Sequence, residues 1–89
     1  MLYKNHVFFT GYGKLLLQDG TYYEGQFTHG EITGHGFKYF SSTKCKYKGQ
    51  FYKGEMHGKG LMTYPDGSEY EGQFVHNRKS GLYIYIKKG

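Results

Sequence analysis

Apolar and polar residues alternate over short stretches of this chain and never recur at helical spacing. In an extended strand, Tyr23, Gly25 and Phe27 fall on one face, and Glu24, Gln26 and Thr28 on the other. Runs rich in Tyr, Phe, Leu and Thr are punctuated by Gly or Asp-Gly, which reads as strands joined by tight turns. No window sustains a 3.6-residue apolar period, so no substantial helix is expected. Gln18-Asp19-Gly20-Thr21 and Pro65-Asp66-Gly67 are hairpin turn signals, because Gly accepts positive φ without steric cost. The corresponding Ser41-Ser42-Thr43-Lys44 segment has no Gly and one residue more, which predicts a looser, more mobile loop.

The alternation itself repeats. Tyr-x-Gly-x-Phe occurs at residues 23–27, 47–51 and 70–74, in steps of 24 and 23 residues. Gly34, Gly58 and Gly81 follow each Phe by seven residues; Gly36 and Gly60 come two later, where the third copy has Tyr83. Gly11 and Gly13 stand in the same phase ahead of the first full copy. A fixed period of this length marks a stacked-repeat architecture. The expected division is a non-repeat segment 1–10, a half-repeat 11–22, repeats 23–46 and 47–69, and an incomplete repeat 70–89. The expected fold is all-β: one elongated, twisted antiparallel meander of β-hairpin repeats with about seven strands. The Gly between two aromatics reads as a bare patch of backbone over which a ring from the next strand lies flat. Both ends of such a sheet are open edges, so a longer parent chain, a partner or an edge-to-edge homodimer is expected to cover them. Tyr83-Ile84-Tyr85-Ile86 is an aggregation-prone edge, with Lys87-Lys88 as gatekeepers.

The order Tyr-x-Gly-x-Phe, short loop, Gly-x-Gly, strand, Asp-Gly and next Tyr resembles the MORN (membrane occupation and recognition nexus) repeat. Its fullest stretch is Tyr47-Lys48-Gly49-Gln50-Phe51, Gly54, His57-Gly58-Lys59-Gly60 and Asp66-Gly67, and the likeness covers about residues 11 to 82. The resemblance implies a hairpin array used for binding. Members of that family hold other proteins in cytoskeletal, ciliary and flagellar assemblies; others, such as junctophilins and plant phosphoinositide kinases, meet membranes. Some append a methyltransferase or lipid kinase domain, for which this chain has no room.

Composition narrows the chemistry. Fifteen Gly and eighteen Phe plus Tyr in 89 residues, placed regularly, argue for one small ordered domain. A lone cysteine, Cys45, cannot form an internal disulfide, which fits a reducing, cytoplasmic setting; the resemblance adds a cytoskeletal or ciliary location. No signal peptide or membrane-spanning helix is read in the sequence. His6, His29, His35, His57 and His76 show no pairing with a nucleophile, and His29 and His76 lie about 19 Å apart by strand spacing, too far to share a metal. Cys45 between Lys44 and Lys46 reads as a packed strand cysteine before a reactive one. Gly11-Tyr12-Gly13-Lys14 and the Gly54–Lys59 segment open no helix, so neither is a phosphate loop. No catalytic, cofactor or metal residue is assigned, and the chain is not read as an enzyme.

The formal charge is +5. From Lys38 to Lys53 there are five lysines and no acid, and Lys48 replaces the Glu24 and Glu71 of the flanking copies. Lys44, Lys46, Lys48 and Lys53 are the candidate contacts for an acidic lipid or acidic partner, each worth about 1 kcal/mol beside an anionic surface; the plainer reading is a solvated face. Nucleic acid is ranked low, because the rings are committed to stacking within the repeats. The expected function is a non-catalytic scaffold binding an unidentified protein, with acidic phospholipid (phosphoinositide) recognition through the basic middle repeat as the alternative. Tyr23, Gly25, Phe27, Tyr47, Gly49, Phe51, Tyr70, Gly72 and Phe74 define the repeats.

Overall fold

A computed structural model describes residues 9–86, with 82–86 described in backbone alone. His6 and Lys87-Lys88 lie outside the described residues, as does most of the non-repeat segment. Seven strands run in sequence: β1 (Gly11–Leu16), β2 (Tyr22–Thr28), β3 (Glu31–Phe40), β4 (Cys45–Tyr52), β5 (Glu55–Thr63), β6 (Glu69–Val75) and β7 (Arg78–Ile86). They form one antiparallel sheet in the order β1-β2-β3-β4-β5-β6-β7, an open meander measuring 53 × 27 × 18 Å. The all-β expectation holds, and the described residues contain no helix.

Register explains the glycines. Gly13, Gly25, Gly36, Gly49, Gly60 and Gly72 pair in succession, so one row of glycine crosses six strands. The ring seats are Gly36 and Gly60: a Cβ there would collide with the rings of Tyr23 and Tyr47. The glycine inside the signature has a different task from the one expected. A Cβ on Gly25 or Gly49 would stand 2.5 Å from the Cα of Gly36 or Gly60, so these residues are bare because two backbones approach closely.

Tyr23, Tyr47, Phe51, Met56, Tyr70 and Phe74 form the core on one face of the sheet, with Phe27, Ile32, Phe40, Met62 and Tyr64 packed around them. The rings make a continuous edge-to-face chain, Phe9–Phe27–Tyr23–Phe51–Tyr47–Phe74–Tyr70, with centroids 4.9 to 5.7 Å apart. Each such contact adds about 0.5–1.5 kcal/mol beyond its buried area. Phe51 and Phe74 touch tyrosines of two successive copies, which is how one repeat stabilises the next.

Each Tyr strand and the strand after it share a bulge. Between Gly25↔Gly36 and Phe27↔Ile32, β2 spends one residue where β3 spends three, and β4–β5 repeats this. Two side chains service the irregularity. The tyrosine hydroxyl donates to the carbonyl three residues on: Tyr23 to Gln26 at 2.8 Å, Tyr47 to Gln50 at 2.8 Å and Tyr70 to Gln73 at 3.2 Å. The Gln26 and Gln50 amide oxygens accept from the His35 and Lys59 N–H groups at 2.6 and 2.7 Å. The Gln is identical in all three copies. That recurrence is a readable signal at a position that Tyr-x-Gly-x-Phe leaves open.

The turns stack as well. Thr28–Glu31, Tyr52–Glu55 and Val75–Arg78 are linked by two-residue turns with positive φ at both central residues: His29 and Gly30, Lys53 and Gly54, His76 and Asn77. Each sends a backbone N–H to the copy before it: Gly30 to Phe9, Gly54 to Ile32 and Asn77 to Met56, at 2.8 to 3.1 Å. At the other end, Gly20 and Gly67 close three-residue loops whose Thr21 and Ser68 amides donate to Asp19 and Asp66. The middle loop closes differently. The Lys44 N–H reaches the Phe40 carbonyl at 2.7 Å, with Lys44 itself at φ 64 where glycine would serve.

Candidate interaction surface

The face opposite the core carries the chemistry. Register sets a row Lys14, Glu24, Phe37, Lys48, Leu61, Glu71 across successive strands. A neighbouring row runs Leu16, Tyr22, Tyr39, Lys46, Thr63, Glu69. Tyr22 packs against Phe37 and Tyr39 with centroids 5.9 and 5.7 Å away, and the Lys14 ammonium sits 4.5 Å over the Tyr22 ring. Tyr22, Phe37 and Tyr39 are half-buried, and charged residues of both signs flank them. An open groove of about 450 Å³ lies alongside, lined by Tyr12, Glu24, His35, Phe37 and Lys48. Its floor includes backbone at Gly36 and Gly49, whose missing Cβ faces the core and not the groove.

The sequence-predicted lysines divide. Lys46 and Lys48 are exposed on this face. Lys44 lies in the loop before β4, and Lys53 in the turn after it, about 30 Å away at strand rise. Lys53 lies 5.4 Å over Tyr52. The basic middle repeat is therefore two adjacent lysines between Glu24 on β2 and Glu71 on β6, with a further lysine at each end of the strand.

Elsewhere the candidates stay structural. His57 and His76 come within 5.8 Å, and His76 Nδ1 lies 2.8 Å from a Glu55 carboxylate oxygen. No three metal-ligating side chains gather among the described residues. Cys45 is half-buried, with its thiol 3.8 Å from the Thr43 carbonyl. Burial pushes the Tyr47 hydroxyl up to about 12 and raises Tyr23. These tyrosines serve the core and its bulges.

Three segments match the model of the MORN repeat: residues 23–43, 47–69 and 70–82. Together they take in more than half of the chain. The chain belongs to the MORN repeat family. The matched segments begin on Tyr23, Tyr47 and Tyr70, the residues seated over or beside the glycine row. MORN repeats are interaction modules, and the family is a non-catalytic repeat module. The MORN geometry here extends ahead of the first matched residue: Phe9 accepts from the Gly30 turn as Ile32 accepts from Gly54, and Thr10 Oγ1 accepts from His29 N–H as Thr33 does from Lys53.

Proposed function

We propose that this MORN array is a protein-binding scaffold module whose open face grips an extended segment carrying an aromatic or aliphatic side chain next to an acidic one. The observation that carries the reading is the half-buried Tyr22–Phe37–Tyr39 cluster with Lys46 and Lys48 beside it and a backbone-floored groove along it. Aromatic anchors flanked by charge are what protein contacts use for affinity and orientation. A cytoskeletal or ciliary assembly is the setting in which a non-catalytic array of this family would serve. The test is selection of displayed random peptides on the folded domain, followed by calorimetry on a Phe37→Ser/Lys48→Glu variant. Enriched peptides pairing an apolar with an acidic residue, and losing affinity about tenfold or more on the variant, support the reading. Equal binding to the variant overturns it.

Acidic-lipid attachment is the second reading, favoured by Lys46 and Lys48 projecting together. Glu24 and Glu71 on the same face oppose a concentrated basic patch, so this reading ranks below protein binding. Co-sedimentation with anionic and neutral vesicles at low and physiological salt separates the two. Anionic-selective binding that a Lys46→Glu/Lys48→Glu variant loses would put lipid first.

A further inference from the structure

The β1 edge has the shape of a repeat with no preceding strand among the described residues. Its residues align with later copies by register: Leu15 stands opposite Tyr23 as Lys38 does opposite Tyr47 and Met62 opposite Tyr70. Gly11 then matches Gly34 and Gly58, and all three have positive φ, at 139°, 111° and 94°. In the two later copies the space over that glycine is filled by the amide of Gln26 or Gln50, and the space over Gly36 or Gly60 by the ring of Tyr23 or Tyr47. At β1 one ring reaches both seats, and the Phe27 ring shares the second. The Phe9 ring lies 3.3 Å from a Cβ placed on Gly11 and 3.1 Å from one placed on Gly13.

The rest of the edge carries the same mark. Leu17 matches Phe40 and Tyr64, which pack on the core, yet Leu17 is 48% exposed and Leu15 44%. Phe9 is 51% exposed, Tyr12 71% and Leu16 67%. Most of the large hydrophobics exposed among the described residues therefore gather at residues 9–17. Backbone direction agrees. Phe9 accepts from Gly30 and Leu17 donates to Thr21, so odd residues of β1 face β2. Tyr12, in the phase of the His35 and Lys59 amides that bond Gln26 and Gln50, directs its N–H to the outer side. Among the described residues β1 pairs with β2 alone.

We propose that β1 is an acceptor edge for a Tyr-x-Gly-Gln-Phe strand supplied by another polypeptide, with Phe9 as a removable plug. The incoming tyrosine takes the Gly13 seat, and its glutamine takes the Gly11 seat and the Tyr12 N–H. The occupant is defined by the register: a strand of this same repeat type, added antiparallel. A folded second copy cannot supply it, because its own β2, β4 and β6 are already paired on both sides. The inference concerns the edge and not the open face, so it stands or falls apart from the Phe37 and Lys48 test.

The probe is a synthetic peptide copying residues 45–54, with Cys45→Ser, titrated into the ¹⁵N-labelled chain. The expected result is saturable binding with amide shifts confined to Gly11–Leu16 and the adjacent β2. Peptides carrying Tyr47→Ala or Gly49→Val should lose it. Phe9→Ala in the protein should tighten binding about tenfold by clearing the seats. Should Phe9→Ala fail to fold, Tyr12→Pro provides the second arm: it removes an outer-edge N–H that no described strand uses, and it should abolish binding. No binding by either the parent chain or Phe9→Ala, binding indifferent to the peptide's Tyr and Gly, or binding that survives Tyr12→Pro would each overturn the proposal.

Discussion

Tyr47 joins three kinds of contact that hold this sheet. Its ring lies on Gly60, meets Phe51 and Phe74 edge-on, and its hydroxyl donates to the Gln50 carbonyl that the bulge turns out of the ladder. Tyr47→Phe keeps the ring but strips that carbonyl of its donor, so urea denaturation should show a loss of about 1–3 kcal/mol. Gly60→Ala strikes the same ring from below and should cost at least as much. The hydroxyl also sets an alkaline limit. Tyr47 ionises at about 12 when folded against an ordinary 10, so its contribution to stability is whole below pH 10 and is lost as pH rises toward 12. Unfolding between pH 10 and 12, accompanied by late tyrosinate absorbance, is the expected titration; Tyr47→Phe should make stability less steep across that window. The importance of the tyrosines and glycines was legible in the sequence because they recur in phase. The division of labour between Gly49 and Gly60 was not, since it depends on which strand's backbone each one meets.

At the scale of the hairpin, turn chemistry and strand pairing agree least at two lysines. Lys53 and Lys44 hold φ of 49° and 64°, a region that costs an ordinary residue about 1–2 kcal/mol. Lys44→Gly should therefore raise stability by about 0.5–1 kcal/mol, read as an increase in melting temperature. Lys53→Asn should do the same more weakly, since Asn suits the first position of such a turn. The Asp-Gly loops were plain in the sequence. The tighter His29-Gly30, Lys53-Gly54 and His76-Asn77 turns were not, because His and Lys carry no turn signal and Asn77 stands where the other copies have Gly. Phe9 and Thr10 escaped notice for a related reason: they share function with Ile32 and Thr33 through backbone position and a hydroxyl, while the aromatic signature lies elsewhere. The lysines were read as a run, whereas the strand spreads Lys44 and Lys53 to opposite ends.

Across the molecule, stability passes from neighbour to neighbour. Phe51 contacts Tyr23 and Tyr47, so Phe51→Ala should cost about 3–5 kcal/mol and uncouple the first full copy from the second. Phe27→Ala, at a half-buried position nearer the open end, should cost less; paired chemical melts decide the order. The meander itself was predictable, because a period near 24 residues, apolar–polar alternation and the Asp-Gly turns leave little else to build. The surface was harder to read, since a charge on β4 acquires its neighbours only through register with β3 and β5. The glycine row has one more consequence. No side chain projects from it, so the strands can approach one another along that line, and each copy advances the sheet by two strand spacings, about 10 Å. An array of this kind is thus a graduated rule: adding or deleting a copy would move attached partners by a set increment and leave the docking geometry of each mark unchanged.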